Sequence, residues 1–238
     1  MIIYGRNPVA EALKSSYKVK EVILQENINV DKRIEEILKL AESNQVKVSY
    51  ADSQKVAKLA NFKEHQMVLA DVDFKEYKLK DVLEGIDYEK SFIYISEATY
   101  EQNVGAIIRT AECAGMAGVI IPSDINITPT VIKTSAGAAL HIPIIRMPIY
   151  EAIKEFKNFA FKIVGIERDG SKLYTEDISG NCLFIIGGED KSLSDNLRER
   201  CDAIVEIPQF GKVNSLNMSV ASSIVIYEHL RQNLSKKS

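Results

Sequence analysis

Apolar and polar positions alternate with two different periods along this chain, and the change of period marks out its elements. Residues 20–27, "KEVILQEN", and 46–50, "VKVSY", read as strands. Between them Ile34, Ile37, Leu38 and Ala41 recur at the spacing of one helical face, with Asp31 placed to cap that helix. A second helix is predicted over residues 53–61 and a strand over 66–72. Ahead of these, "NPVAEALKS" predicts a helix with Asn7 as cap and Pro8 at its first position. The pattern up to residue 75 is that of a small α/β unit. Residues 76–90 are charged and weakly periodic, which predicts a linker.

From residue 91 to the end at 238 the rhythm resumes with longer apolar runs. "SFIYISEA", "GVIIP", "IPIIRM", "FKIVGIE", "NCLFIIGGE" and "AIVEIP" are strand candidates, separated by helix-period stretches and followed by a terminal helix. Continuously apolar strands alternating with helices predict a parallel sheet covered on both faces, so the fold class is α/β.

Composition narrows the function only slightly. Apolar residues are 46% and charged residues 26% of the chain, as in an ordinary globular domain, and no run is long enough to span a bilayer. "MIIYGRNPVAEAL" lacks the layout of a signal peptide, and the three widely spaced cysteines predict reduced thiols, so a cytoplasmic protein is expected. The three histidines are scattered and predict no metal site. A net charge of −3 argues against a protein that coats nucleic acid nonspecifically, but leaves room for a local basic surface.

Open parallel sheets bind ligands at the carboxyl ends of their strands, and three such ends carry unusual residues. In "YEQNVGAIIRTAECAG", Asn103 is placed to cap a helix whose buried stripe is Val104, Ile107, Ile108 and Ala111. Arg109 then faces away from that stripe, three residues from Glu112. In "CLFIIGGEDKSLS" a strand runs into Gly187, Gly188 and Glu189, where backbone can approach a ligand closely. In "IPQFGKVNSLNMSVASSIVIYE", Asn214, Ser215, Asn217 and Ser219 crowd the mouth of the last helix. Ser215 as an N-cap accounts for one of these polar groups; the rest imply close approach of another molecule. Walker, dinucleotide and serine-hydrolase signatures are missing.

Taken together, "NVGAIIRTAE", "IIGGEDKSLS" and the "IPQFGKVNSLNMSVASSIVIYE" stretch resemble the three signature motifs of the SpoU (TrmH-like) family of RNA ribose 2′-O-methyltransferases in the SPOUT superfamily. "YGRNPVAEAL" and "HQMVLADV" resemble parts of the small RNA-binding domain that precedes the catalytic domain in 23S ribosomal RNA members. The resemblance implies a catalytic domain over residues 91–238 with a C-terminal trefoil knot, preceded by an RNA-binding domain over residues 1–75. It further implies S-adenosylmethionine as cofactor, a homodimer, and ribosomal RNA as partner, with guanosine in 23S RNA as the target. Carried over residue by residue, Asn103, Arg109, Glu189, Ser215 and Asn217 are the implied catalytic residues. Gly187, Ile207 and Leu216 are the implied cofactor-binding ones. The chain departs from the family pattern where Tyr100-Glu101-Gln102 replaces the Asp-Pro before Asn103, where Met67 replaces a glycine, and where "EDKSL" lacks two glycines after Glu189. A transfer RNA ribose methyltransferase and a catalytically silent ribosome-assembly factor on the same fold are the rival expectations.

Overall fold

The computed structural model describes residues 1–62, 65–84, 90–188, 192–213 and 215–236. The chain begins β1 (Ile2–Tyr4), α1 (Arg6–Lys14), β2 (Val19–Gln25), α2 (Lys32–Ser43), β3 (Lys47–Ala51), α3 (Ser53–Ala60), β4 (Val68–Val72) and α4 (Leu79–Leu83). It continues β5 (Phe92–Ile95), α5 (Glu101–Cys113), β6 (Gly118–Ile121), α6 (Pro129–Thr134), β7 (Ile144–Arg146), α7 (Ile149–Asn158) and β8 (Lys162–Lys172). β9 (Cys182–Ile186), α8 (Asp195–Arg198), β10 (Ala203–Glu206) and α9 (Met218–Lys236) complete it.

Two compact units result: Met1–Lys75 with Ile127–His141, and Glu76–Asn126 with Ile142–Ser238. In the first, the sheet order is β1-β4-β2-β3, with β4 antiparallel to both its neighbours. The apolar stripe of α2 behaves as its spacing predicts: Ile34, Ile37 and Ala41 are fully buried, and the Asp31 carboxylate accepts the Arg33 and Ile34 N–H groups. α1 starts earlier than its sequence suggested. Gly5 is its N-cap and Pro8 sits third in the helix, where a missing N–H still costs no intrahelical bond. Residues 127–141 were not expected to join this unit. They do so through local chemistry: Thr130 Oγ1 meets the Tyr4 hydroxyl at 3.1 Å, and His141 Nε2 meets Glu11 Oε2 at 3.0 Å.

The second unit is a six-stranded, fully parallel sheet in the order β10-β8-β9-β5-β6-β7. All four residues of β5 and all five of β9 are buried, the signature of strands covered on both faces. Within the stretch expected as linker, α4 forms and buries Leu79 in the core of this sheet. From β5 the chain steps through β6 to β7 at one edge, then returns to build β8, β9 and β10 on the other side. β5 and β9 are therefore neighbours whose connections leave in opposite directions, which opens a crevice at their carboxyl ends.

β8 has an irregularity that shapes this end. Its pairing with β10 jumps from Gly165↔Ile204 to Ser171↔Val205, so residues 166–170 leave the ladder while β10 advances by one. Gly170 makes this possible: a Cβ there would lie 2.4 Å from the Ile204 carbonyl oxygen. Glu167 and Arg168 lie in this excursion, just past Ile166, where the pairing of β8 with β9 ends. Among the described residues, no helix is long and apolar enough to cross a membrane.

Candidate functional site

The carboxyl ends of β8, β9 and β10 and the start of α9 enclose a cavity. Gly187, Ile207 and Leu216 all line it, joined by Ser215, Glu167 and Arg168. Gly187 is buried and Gly188 half-buried. A Cβ at Gly188 would come within 2.8 Å of Glu97 Oε2, so the glycine keeps β9 close to the loop that follows β5. The Glu167 carboxylate accepts the Leu193 N–H, which ties the β8 excursion to the segment leading into α8. A second tie joins Arg198 Nη1 to Asp169 Oδ1 at 2.8 Å.

A second, more open cleft of about 330 Å³ is lined by Tyr100, Gln102, Asn103, Ser215, Leu216 and Asn217. It gathers three of the residues singled out in the sequence, Asn103, Ser215 and Asn217, from segments more than a hundred positions apart. Their linkage is direct: Asn217 Nδ2 donates to Asn103 Oδ1 at 3.1 Å. Ser215 and Leu216 line both the cavity and the cleft.

Two capping expectations are corrected here. Asn103 is not the cap of α5. The helix begins at Glu101 with Tyr100 as N-cap, and Asn103 is 8% exposed within the first turn, turned toward Asn217. Ser215 does not cap α9. That role falls to Asn217, whose carbonyl accepts the Ala221 N–H and whose Oδ1 accepts the Ser219 N–H at 2.9 Å. The small polar residues that follow are satisfied internally. Ser222 and Ser223 donate to the carbonyls of Met218 and Ser219, and Ser223 Oγ also meets Thr110 Oγ1 of α5 at 3.0 Å. Much of the polarity at the mouth of α9 is thus capping and α5–α9 packing, which leaves Ser215 exposed at the junction of cavity and cleft.

Arg109 is not brought to either space. It is exposed on α5, seven residues beyond Gln102, a rise on the order of 10 Å along the helix, and it lines neither the cavity nor the cleft. Glu189 lies outside the described residues. Glu167 and Arg168 are site residues that the sequence did not single out. Charged residues between Gly165 and Gly170 at the end of an apolar run were the available signal. Among the described residues no group of three or more His, Cys, Asp or Glu is placed to hold a metal ion.

Comparison with known proteins adds to this geometry. The SpoU rRNA methylase family matches residues 90–227, and the family described as RNA 2′-O ribose methyltransferase substrate binding matches residues 2–78. A Staphylococcus saprophyticus protein assigned to the TrmH family of tRNA/rRNA methyltransferases is 35% identical, over 98% of this chain and 96% of its own length. Two solved structures share the fold. The SpoU methyltransferase AviRb of Streptomyces viridochromogenes, in complex with AdoMet, superposes with a TM-score of 0.82 at 23% identity, over 99% of this chain and 91% of that one. An AdoMet-bound rRNA methyltransferase of Sinorhizobium meliloti gives 0.79 at 23% identity, over 97% and 86%.

Proposed function

The chain belongs to the SpoU rRNA methylase family of RNA 2′-O-ribose methyltransferases, and on that premise we propose that it methylates guanosine in 23S ribosomal RNA, with cavity and cleft as the two halves of one active site. One observation carries the assignment of halves: Gly187, Ile207 and Leu216 line the cavity, Asn103, Ser215 and Asn217 line the cleft, and Ser215 and Leu216 belong to both.

The family's cofactor is S-adenosylmethionine, and the cavity suits it. Gly187 and Gly188 put no side chain into the space, and peptide groups around Ile207 and Leu216 offer the mixed donors and acceptors that an adenine edge requires. Glu167 and Arg168 add charges of both signs, as a zwitterionic amino-acid tail would need. Bound there, the cofactor would supply an electrophilic methyl group for O2′, whose proton would leave to solvent.

The side chains of the cleft position the ribose. Asn103 is buried and held by Asn217, so its amide has a fixed orientation, while Ser215 presents a hydroxyl at the boundary with the cofactor space. Arg109 binds a neighbouring phosphate and, as a cation, stabilises negative charge on O2′. Glu189 orients Arg109 or a group of the substrate. Because Arg109 stands outside the cleft of its own chain, we assign completion of the site to a homodimer. Val220, Tyr227 and Leu234, spaced by seven along α9 and 46%, 50% and 59% exposed, support that assignment. The trefoil knot of the family is part of the same reading.

A transfer RNA ribose target is the second reading, favoured by the tRNA/rRNA family of the S. saprophyticus relative. Incubation with methyl-labelled S-adenosylmethionine and separated RNA fractions decides between them. Label in 23S RNA is expected; label confined to transfer RNA would replace the ribosomal target with the second reading.

A further inference from the structure

We propose that Tyr100 is a stacking platform for a base of the RNA substrate, holding the nucleoside so that its ribose lies against Asn103, Ser215 and Asn217. The inference rests on the reading of the cleft as the RNA half of the site.

Tyr100 occupies the N-cap position of α5, with φ −115° and ψ 125°, and makes no side-chain cap hydrogen bond. Ser, Thr, Asp and Asn are favoured at such a position because their side chains accept a free N–H of the first turn, and a tyrosine gives up that stabilisation. The chain uses such caps elsewhere: Asp31, Asp52, Thr128 and Ser194 close α2, α3, α6 and α8. A missing side-chain cap is not unique to α5, since α1, α4 and α7 also lack one. What sets Tyr100 apart is its ring. It is 58% exposed and lines the cleft that holds Asn103, Ser215 and Asn217. Among the described residues it stacks on no other aromatic ring, and its hydroxyl has no partner.

The cleft therefore offers an uncovered π-surface at Tyr100, apolar surface at Leu216, which is 39% exposed, and amide and hydroxyl groups at Gln102, Asn103, Ser215 and Asn217. A nucleoside has the matching chemistry: an apolar aromatic face and hydrogen-bonding groups on its base edge and ribose. Sequence-tolerant recognition of unpaired RNA works by such stacking on aromatic side chains. A volume of about 330 Å³ is ample for one nucleoside.

The test uses the fact that the chain contains no tryptophan. Tyr100→Trp then carries a single tryptophan at the proposed contact, excited selectively over the remaining tyrosines and titrated with total ribosomal RNA and with a mixed-sequence single-stranded oligoribonucleotide. Quenching that saturates with RNA binding, followed independently by anisotropy of labelled RNA, is expected. Emission that ignores bound RNA, or that shifts with protein concentration alone because a second copy covers the ring, overturns the proposal, as does failure to bind RNA at all. Kinetics provide the second arm. Tyr100→Asp installs a capping side chain, so thermal stability should hold or rise and affinity for S-adenosylmethionine should stay unchanged. Its KM for RNA should rise about tenfold, equivalent to about 1.4 kcal/mol, with little change in kcat. Tyr100→Phe keeps the ring and should stay within twofold of the parent. A Tyr100→Asp enzyme with parental KM refutes the stacking role while leaving the methyltransferase reading intact. A parent protein that methylates no RNA refutes that reading, and the fluorescence titration still decides whether Tyr100 meets a base.

Discussion

The cavity at the ends of β8, β9 and β10 and the cleft beside α5 share Ser215 and Leu216, yet they are built from different materials. Glycines and strand-end peptide groups form much of the cavity, with Glu167 and Arg168 at its border. The cleft is walled by the side chains of Tyr100, Gln102, Asn103 and Asn217. Backbone recognition suits a ligand that never varies, because peptide groups are positioned by the fold itself. Side-chain recognition suits an RNA site that has to be distinguished from other RNA, because one substitution alters it without disturbing the sheet. The difference teaches where function should be separable: changes in the cleft should affect RNA and spare the cofactor, whereas changes to the strand ends should damage cofactor binding and stability together.

The largest expected effect is the loss of Arg109. Arg109→Ala should lower methyl transfer by about 10²–10³-fold, the scale of losing one group that stabilises a developing oxyanion, with cofactor affinity within twofold by calorimetric titration. Parallel loss of both would break the division. Next comes Gly170→Ala, in which a Cβ 2.4 Å from the Ile204 oxygen and 2.6 Å from its carbonyl carbon forces β8 and β10 apart. A cost of about 1–3 kcal/mol is expected. At roughly 2–4 °C per kcal/mol for a chain of this size it lowers the melting temperature measurably, and cofactor affinity should fall with it.

Asn217 is the instructive intermediate, because it does two jobs. Asn217→Ala removes the α9 cap, at about 1 kcal/mol, and also the donor to Asn103. Asn217→Asp keeps the acceptor for the Ser219 N–H but cannot donate to Asn103. Melting curves should show the aspartate variant recovering stability, while methyl transfer stays low in both. Recovery of activity along with stability would make the Asn103 contact dispensable.

The smallest effect concerns pH. His229 is 7% exposed; its Nδ1 donates to the Ile178 carbonyl at 2.6 Å and its Nε2 accepts from Asn233 at 3.0 Å. Burial holds its pKa below the ordinary 6.5, outweighing the opposing bond to Ile178. The unfolded chain then binds more protons than the folded one, so stability falls as pH drops below about 6.5. Urea midpoints at pH 5.5 and 7.5 should differ in that direction, and His229→Gln should narrow the gap.

The parallel sheet was readable from apolar runs because β5, β6 and β9 are buried on both faces, and α2 because its stripe and its Asp31 cap are local. What escaped the sequence was non-local. Asn103 looked like a cap because its neighbours on the chain allow it, but its partner Asn217 lies 114 residues away. At the mouth of α9, Ser215 read as the cap and its polar neighbours as a binding site, whereas Asn217 caps the helix and Ser222 and Ser223 bond back to helix carbonyls. Residues 127–141 join the first unit through contacts such as Glu11 with His141, 130 positions apart, which no periodicity reveals. The β8 excursion depends on register against β10, so Glu167 and Arg168 looked like an ordinary charged strand end. Ile207 and Leu216 were singled out by family resemblance alone, because backbone-lined sites leave little trace in side-chain chemistry, whereas the glycine pair after a strand already marked Gly187.

Alkaline digestion of RNA that the protein has labelled from methyl-tritiated S-adenosylmethionine tests the central claim most directly. A 2′-O-methyl group removes the hydroxyl that attacks the adjacent phosphodiester, so the account predicts label in alkali-resistant dinucleotides. Label released as mononucleotides carrying a methylated base would contradict it.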